Sequence, residues 1–218
     1  MRTTLIAASL WLALSHGTVA MAQTETKRIE LGAIFTSITK PESFGSRTEP
    51  GIGGRFTFNL NDSLALEAEG NFFPGSCLNC IDENGGKLAQ GLFGVKAGKR
   101  FKKFGIFAKA RPGVASFSRG AFDVILLSGP PILFPQFAIN RRRQNNFAFD
   151  AGGVIELYHS RRIFTRFDAG DTIIHYGSRT IQGFLFDPLT GGITIIPVTR
   201  PASTRHNFQF SAGVGFRF

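Results

Sequence analysis

Four sets of residues in this chain have side chains and spacings able to do chemistry. Cys77-Leu78-Asn79-Cys80 holds two thiols close enough for a local disulfide, a redox pair or half of a tetrahedral metal site. His175-Tyr176-Gly177-Ser178 brings a base and a hydroxyl into one segment. Arg141-Arg142-Arg143 sets three guanidinium groups in a row, which suits phosphate. The fourth set is dispersed. Glu30, Arg55, Glu67, Glu69, Lys96, Lys109, Arg111, Asp150, Glu156, Arg166, Asp168 and Arg217 each sit inside a segment that alternates apolar and polar residues. They fit an ion-pair network if those segments bring them together.

The first two motifs are poor catalysts on their own terms. A redox pair needs a thiol of lowered pKa at a helix start, and the residues around Cys77 and Cys80 offer none. Zinc needs two more ligands, and His159, His175 and His206 lie in other segments. In an exported chain the expected state of Cys77 and Cys80 is a loop disulfide. A spacing of three puts His175 and Ser178 on opposite faces of a regular strand, and no acidic partner is evident. Nucleophile-elbow and phosphate-loop patterns are missing, and the glycines lie at strand positions. The expectation is therefore no catalytic residue, no metal and no cofactor.

Export is read from the amino terminus. Arg2 gives a positive start, Leu5 to Leu14 is an apolar run too short to span a membrane, and Ala20-Met21-Ala22 fits a cleavage site. Residues 1–22 are expected to be removed, leaving 23–218 as one domain. The formal charge of +10 falls by one with Arg2. A basic chain often binds nucleic acid, but an exported one does not meet it, so no such partner is expected.

No later stretch is long and apolar enough for a membrane helix. Mean hydropathy is +0.04, which suits a soluble protein equally well as a barrel whose two faces cancel in any average. The elements decide. From His206 to the carboxyl terminus, Phe208, Phe210, Ala212, Val214, Phe216 and Phe218 alternate with polar residues and glycines. That is a strand longer than the roughly 9 to 11 residues needed to cross a membrane with tilt. Seven more such segments precede it: Ile29 to Ile38, Gly51 to Leu60, Leu64 to Phe73, Lys87 to Gly98, Phe104 to Val114, Phe147 to Tyr158 and Ile163 to Tyr176. Short turns at Asn61 to Ser63, Lys99 to Lys103 and His159 to Arg162 alternate with long connections at Thr39 to Pro50, Pro74 to Gly86, Ala115 to Asn145 and Gly177 to Thr204. The reading is all-β: an eight-stranded antiparallel up-and-down transmembrane barrel. Ten strands remain open, because the third and fourth connections contain the apolar runs Val124 to Leu127, Ile132 to Phe134, Phe184 to Phe186 and Ile193 to Val198, which read as hairpins extending above the membrane, their ladders limited by Pro130, Pro131, Pro135, Pro188 and Pro197.

A secreted β-sandwich or soluble barrel would also alternate, so polarity must choose between them. If the apolar parity faces outward, all twelve charged residues of the dispersed set point inward, six of each sign. A soluble core could not take them, whereas in lipid a Lys or Arg near the midplane costs roughly 2 to 4 kcal/mol and the lumen is the refuge. Asp171 breaks the rule, since strict parity points it at lipid; a bulge after Gly170 would correct this.

The alternating loop lengths, the filled lumen and the aromatic carboxyl terminus resemble the small eight-stranded outer-membrane barrels of the OmpA and OmpX type, over nearly all of Lys27 to Phe218. The resemblance implies the cell outer membrane, with Phe208, Phe210, Phe216 and Phe218 forming part of the signal read by the barrel insertion machinery. It departs from the family in the residues available for aromatic belts, usually Trp and Tyr: after residues 1–22 the chain has only Tyr158 and Tyr176, and phenylalanine supplies the rest. Some barrels of this kind modify lipids with a lipid-side His and Ser on one strand, a motif that His175 to Ser178 does not match. An eight-stranded lumen is just wide enough for side chains, so function is expected in the long outer loops. Their apolar, proline-rich content fits either an extracellular ligand or surface partner, or packing of the loops on each other. Arg141, Arg142 and Arg143 would face lipopolysaccharide phosphates, and the basic turns the inner leaflet. The expected role is in envelope structure or surface interaction; the alternative is a narrow porin-like channel, and behind it a lipid-modifying enzyme.

Overall fold

The computed structural model describes residues 27–42, 45–75, 86–126, 137–186 and 193–218. They form ten strands: β1 (Ile29–Glu42), β2 (Gly45–Asn59), β3 (Leu64–Phe73), β4 (Leu88–Arg100), β5 (Phe104–Leu126), β6 (Phe137–Tyr158), β7 (Ile163–Tyr176), β8 (Arg179–Phe186), β9 (Ile193–Arg200) and β10 (Ser203–Arg217). Eight of them close an antiparallel barrel in the order β1-β10-β7-β6-β5-β4-β3-β2, while β8 and β9 pair only with each other. The short turns are built by side chains that accept from the backbone. Asn61 Oδ1 takes the N–H groups of Ser63 and Leu64, both at 2.8 Å. Ser160 Oγ takes those of Arg162 and Ile163 at 3.1 and 2.9 Å. Closure is completed by Phe218, whose N–H donates to the Ile29 carbonyl at 2.9 Å.

The register fixes the shape. Pairings run from Ile29 through Phe58, Leu66, Val95, Ala110, Ala151, Asp171 and Phe208 back to β1 at Thr39, ten residues beyond the start. An eight-stranded barrel with that stagger has strands tilted by about 40° and a lumen that side chains fill. Outward residues are apolar, with Phe35, Ile52, Phe93, Phe147, Phe208 and Val214 among the most exposed. Small residues gather at mid-height, where Gly54, Gly70, Ala108, Ala110, Gly153 and Ala169 lie between two belts of larger side chains.

One expected loop is strand, and the hairpins expected above the membrane are present. The expected connection Thr39 to Pro50 continues the β1 and β2 ladder to the pair Glu42 and Gly45. Here the strands stand above lipid and lose the apolar parity that marks the lower barrel. Thr39 and Thr48 bond through their hydroxyls at 2.8 Å on the outside, while Lys40 and Glu49 pair at 2.9 Å within. The hairpin expected in Ala115 to Asn145 is longer than its apolar runs, paired from the barrel as far as Leu126 with Phe137 after a register shift between Phe117 and Ala121. The fourth connection folds as the β8 and β9 hairpin, tied to the β5 and β6 ribbon by Arg179, which donates to the Gly120 carbonyl at 2.7 Å and to Gln144 Oε1. There is no bulge at Gly170: β7 runs unbroken against both neighbours and Asp171 faces outward. The signal segment 1–22, Cys77, Cys80, and residues 127–136 and 187–192 lie outside the described residues.

Candidate functional site

Inside the barrel the charged residues join into one chain of alternating sign. Glu30 accepts from Arg217 Nε at 2.7 Å, Arg217 Nη2 reaches Glu156 at 3.0 Å, and Glu156 holds Lys96 at 2.5 Å. Lys96 lies 3.6 Å from Glu67, which takes both terminal nitrogens of Arg166. Arg166 also grips Asp168 at 2.7 Å, and Asp168 accepts from Arg55 at 2.9 Å. Arg55 pairs with Glu69 at 2.6 Å, Glu69 with Arg111 at 2.6 Å, Arg111 with Asp150 at 2.6 Å, and Asp150 with Lys109 at 3.0 Å. All twelve are buried. Bidentate guanidinium contacts recur because the planar fork matches two carboxylate oxygens at once. At the inner mouth, Arg217 lies over the rings of Tyr158 and Phe164, 4.2 and 4.5 Å from their centroids.

Sequence reasoning missed three further ionic groups. Arg100 reaches Glu30 at 3.3 Å from the end of β4, and its position in a basic run masked its inward parity. Lys40 and Glu49 form their pair where a loop was expected. It also missed what lies above the network. A neutral layer comes first: Asn71 donates to Glu69 and Gln90 at 2.8 and 3.0 Å, Thr172 donates to Gln209 at 2.8 Å, and Gln209 donates to Thr36 at 3.2 Å. Over it sits an apolar cluster with inward Ile38, Phe73, Leu88, Phe117, Ile174 and Tyr176, none more than 1% exposed. Between charge and apolar cap, the lumen is filled. A cavity beside Glu30, Arg55 and Arg166 measures about 10 Å³, the room of one water.

The other motifs are spread over the outer face and rim. Arg141, Arg142 and Arg143 lie on β6 above the barrel, with Arg142 opposite Ala121 and Arg141 opposite Phe122. They do not share one face of the strand. Arg141 and Arg143 share the outward parity of Phe147, whereas Arg142 shares the inward parity of Asn146. His175 points outward from β7 and bonds Thr204 Oγ1 at 3.0 Å, while Ser178 lies exposed in the link to β8. Asp171, which strict parity aims at lipid, carries His206 Nδ1 at 2.5 Å and accepts the Asn207 N–H at 3.0 Å. Phe208, Phe210, Phe216 and Phe218 all face outward, the last two meeting edge to face at 4.9 Å. Arg28, Lys99, Lys102, Lys103, Arg161 and Arg162 ring the opposite end, all exposed. An apolar exterior around a charged interior is stable only in lipid, and a closed barrel is the one β-architecture that crosses it without an unpaired edge.

No family model and no curated protein sequence matches the chain. Among solved structures it is similar to Neisserial surface protein A, at 13% identity and TM-score 0.51 over 87% of this chain and 97% of that one. The amino-terminal barrel of Pseudomonas aeruginosa OprF matches at 12% identity and TM-score 0.44, covering 88% and 98%. The attachment invasion locus protein Ail of Yersinia pestis matches at 10% identity and TM-score 0.44, covering 88% and 97%. The fold is that of the small eight-stranded outer-membrane barrels.

Proposed function

We propose that this outer-membrane barrel is a closed envelope protein that presents its outer strands and loops for surface interaction, and that it neither conducts nor catalyses. The observation that carries this reading is the double filling of the lumen: an unbroken ion-pair chain below, and an apolar cap of Ile38, Phe73, Leu88, Phe117, Ile174 and Tyr176 above. An ion would have to break buried pairs and then cross hydrocarbon. Outside, β5 and β6 continue their ladder well beyond the membrane-spanning part and support the β8 and β9 hairpin, a rigid base of the kind that carries recognition loops. Arg141 and Arg143, on the outward parity, suit lipopolysaccharide phosphates; Arg142 suits a ligand over the mouth. Export with loss of residues 1–22, a Cys77 to Cys80 disulfide and reading of the terminal phenylalanines by insertion machinery belong to the same reading.

Planar-bilayer recording of the mature chain tests it. The expected trace is flat at ordinary voltages for the wild type and for Glu67→Gln alike. Steady single-channel steps whose ion preference changes in Glu67→Gln would make the lumen a pore and overturn the proposal.

A further inference from the structure

The outer surface of the barrel is apolar nearly all round, except at the seam between β7 and β10. Asp171 lies eight residues along β7 from Ile163, which with the strand tilt puts it about 20 Å above the inner end of the barrel, within a band of about 25 Å that lipid-facing surfaces normally keep apolar. Among the described residues it is the one acidic side chain on the outward parity of the barrel strands. Its side chain is 42% exposed and that of His206 on β10 69%, and the pair at 2.5 Å is continued upward by His175 with Thr204 at 3.0 Å. Against lipid tails such a polar strip is unfavourable, because hydrocarbon offers neither charge nor hydrogen bonds. Beside and below it small residues alternate with rings on the same face: Ala151 and Gly153 on β6, Ala169 opposite Phe210, and Ala212 opposite Phe167.

We propose that this seam is the contact surface for a second copy of the chain, packed side by side in the membrane about a two-fold axis parallel to the barrel. The symmetry supplies the complementarity. Rotation about that axis sets β7 of one copy against β10 of the other at the same depth, so each Asp171 carboxylate meets the partner's imidazole from His206, and the converse. The single polar pair of one barrel becomes a four-member cluster shielded from lipid. Ala151, Gly153, Ala169 and Ala212 leave hollows between Phe167 and Phe210 for the facing wall, as small residues do between membrane helices. The flanking Phe147 and Phe208, both more than half exposed, close the sides.

The test is energy transfer between donor-labelled and acceptor-labelled full-length barrels in phosphatidylcholine vesicles, read as protein is diluted with lipid, with and without lipopolysaccharide. Transfer should persist in the wild type at dilutions where Asp171→Leu with His206→Leu has lost it, a weakening of about tenfold or more. The exchanged variant, Asp171→His with His206→Asp, should recover most of the transfer, because the crosswise pairing survives inversion. Barrel integrity is checked in each variant by heat-dependent gel migration, with the isosteric Asp171→Asn as a gentler probe of the same loss. No transfer in the wild type, equal transfer in the leucine variant, or transfer abolished by lipopolysaccharide bound at the seam would overturn the proposal, the last in favour of a lipid occupant.

Discussion

The lower and upper parts of the lumen share one parity, one barrel and one degree of burial, yet their chemistry is opposite. Below, Arg166, Arg111 and Arg55 are held among Glu67, Glu69, Asp150 and Asp168. Above, Phe73, Phe117, Leu88 and Tyr176 pack as in a soluble core. A membrane barrel of this width therefore constrains its interior by volume and not by polarity. Charge is admissible only if every member finds a partner, whereas apolar side chains need only fit. The two fillings should therefore fail differently when one member is removed.

The largest effect is expected at Arg166. Its guanidinium serves Glu67 and Asp168 together, so Arg166→Met strips the nearest cation from two buried carboxylates at once, leaving Glu67 to Lys96 at 3.6 Å and Asp168 to Arg55 at 2.9 Å. Removing one partner of a buried pair costs about 3 to 5 kcal/mol, and this site belongs at the upper end. Urea unfolding of the barrel in vesicles should show it. A change under about 1 kcal/mol would mean that water already screens the network. In the cap, Phe117→Ala removes a ring packed 6.0 Å from Tyr176 and lying over the Lys40 ammonium. A cost of about 3 kcal/mol follows from the cavity it leaves, with unfolding still cooperative and bilayer current still absent, because the ion pairs beneath remain. Current appearing in Phe117→Ala alone would show that the cap, and not the network, is the seal.

The alternation that separates the inner from the outer parity was legible wherever lipid imposes it. Phe56 and Phe58 against Arg55 and Thr57 can be read by eye, and so can the turn at Asn61. Above the membrane that pressure ends, and so did legibility: Thr39 to Pro50 reads as loop, and the hairpin within Ala115 to Asn145 as a shorter one, because neither face of their strands needs to be apolar there. The apolar cap was invisible for a related reason. Ile38, Phe73, Leu88 and Ile174 sit on the polar parity of their strands, where they look like the ragged ends of an alternation. Asp171 was noticed, but the remedy assigned to it was local, a bulge, when the chain instead supplies a partner 35 residues away in His206. A cross-strand partner at that separation depends on the β7 and β10 register, which no local pattern contains.

The Lys40 and Glu49 pair sharpens the contrast, because it is a charged pair standing inside the apolar end. It lies beside the cap, with Lys40 Nζ 2.9 Å from Glu49 and over the Phe117 ring. Both side chains are buried, but Glu49 has a second cation in Arg47 at 3.5 Å, and Arg47 reaches solvent. If polarity is free to vary so long as volume is kept, Lys40→Met with Glu49→Leu should extend the cap upward at a cost within about 1 kcal/mol. Lys40→Met alone should be the worse of the two by about 1 kcal/mol, since the carboxylate then depends on a half-exposed guanidinium. The double-mutant cycle isolates the coupling. If the double variant instead lost as much as Arg166→Met, the upper lumen would depend on specific charge as strongly as the lower, and the interchangeability of the two fillings would be wrong.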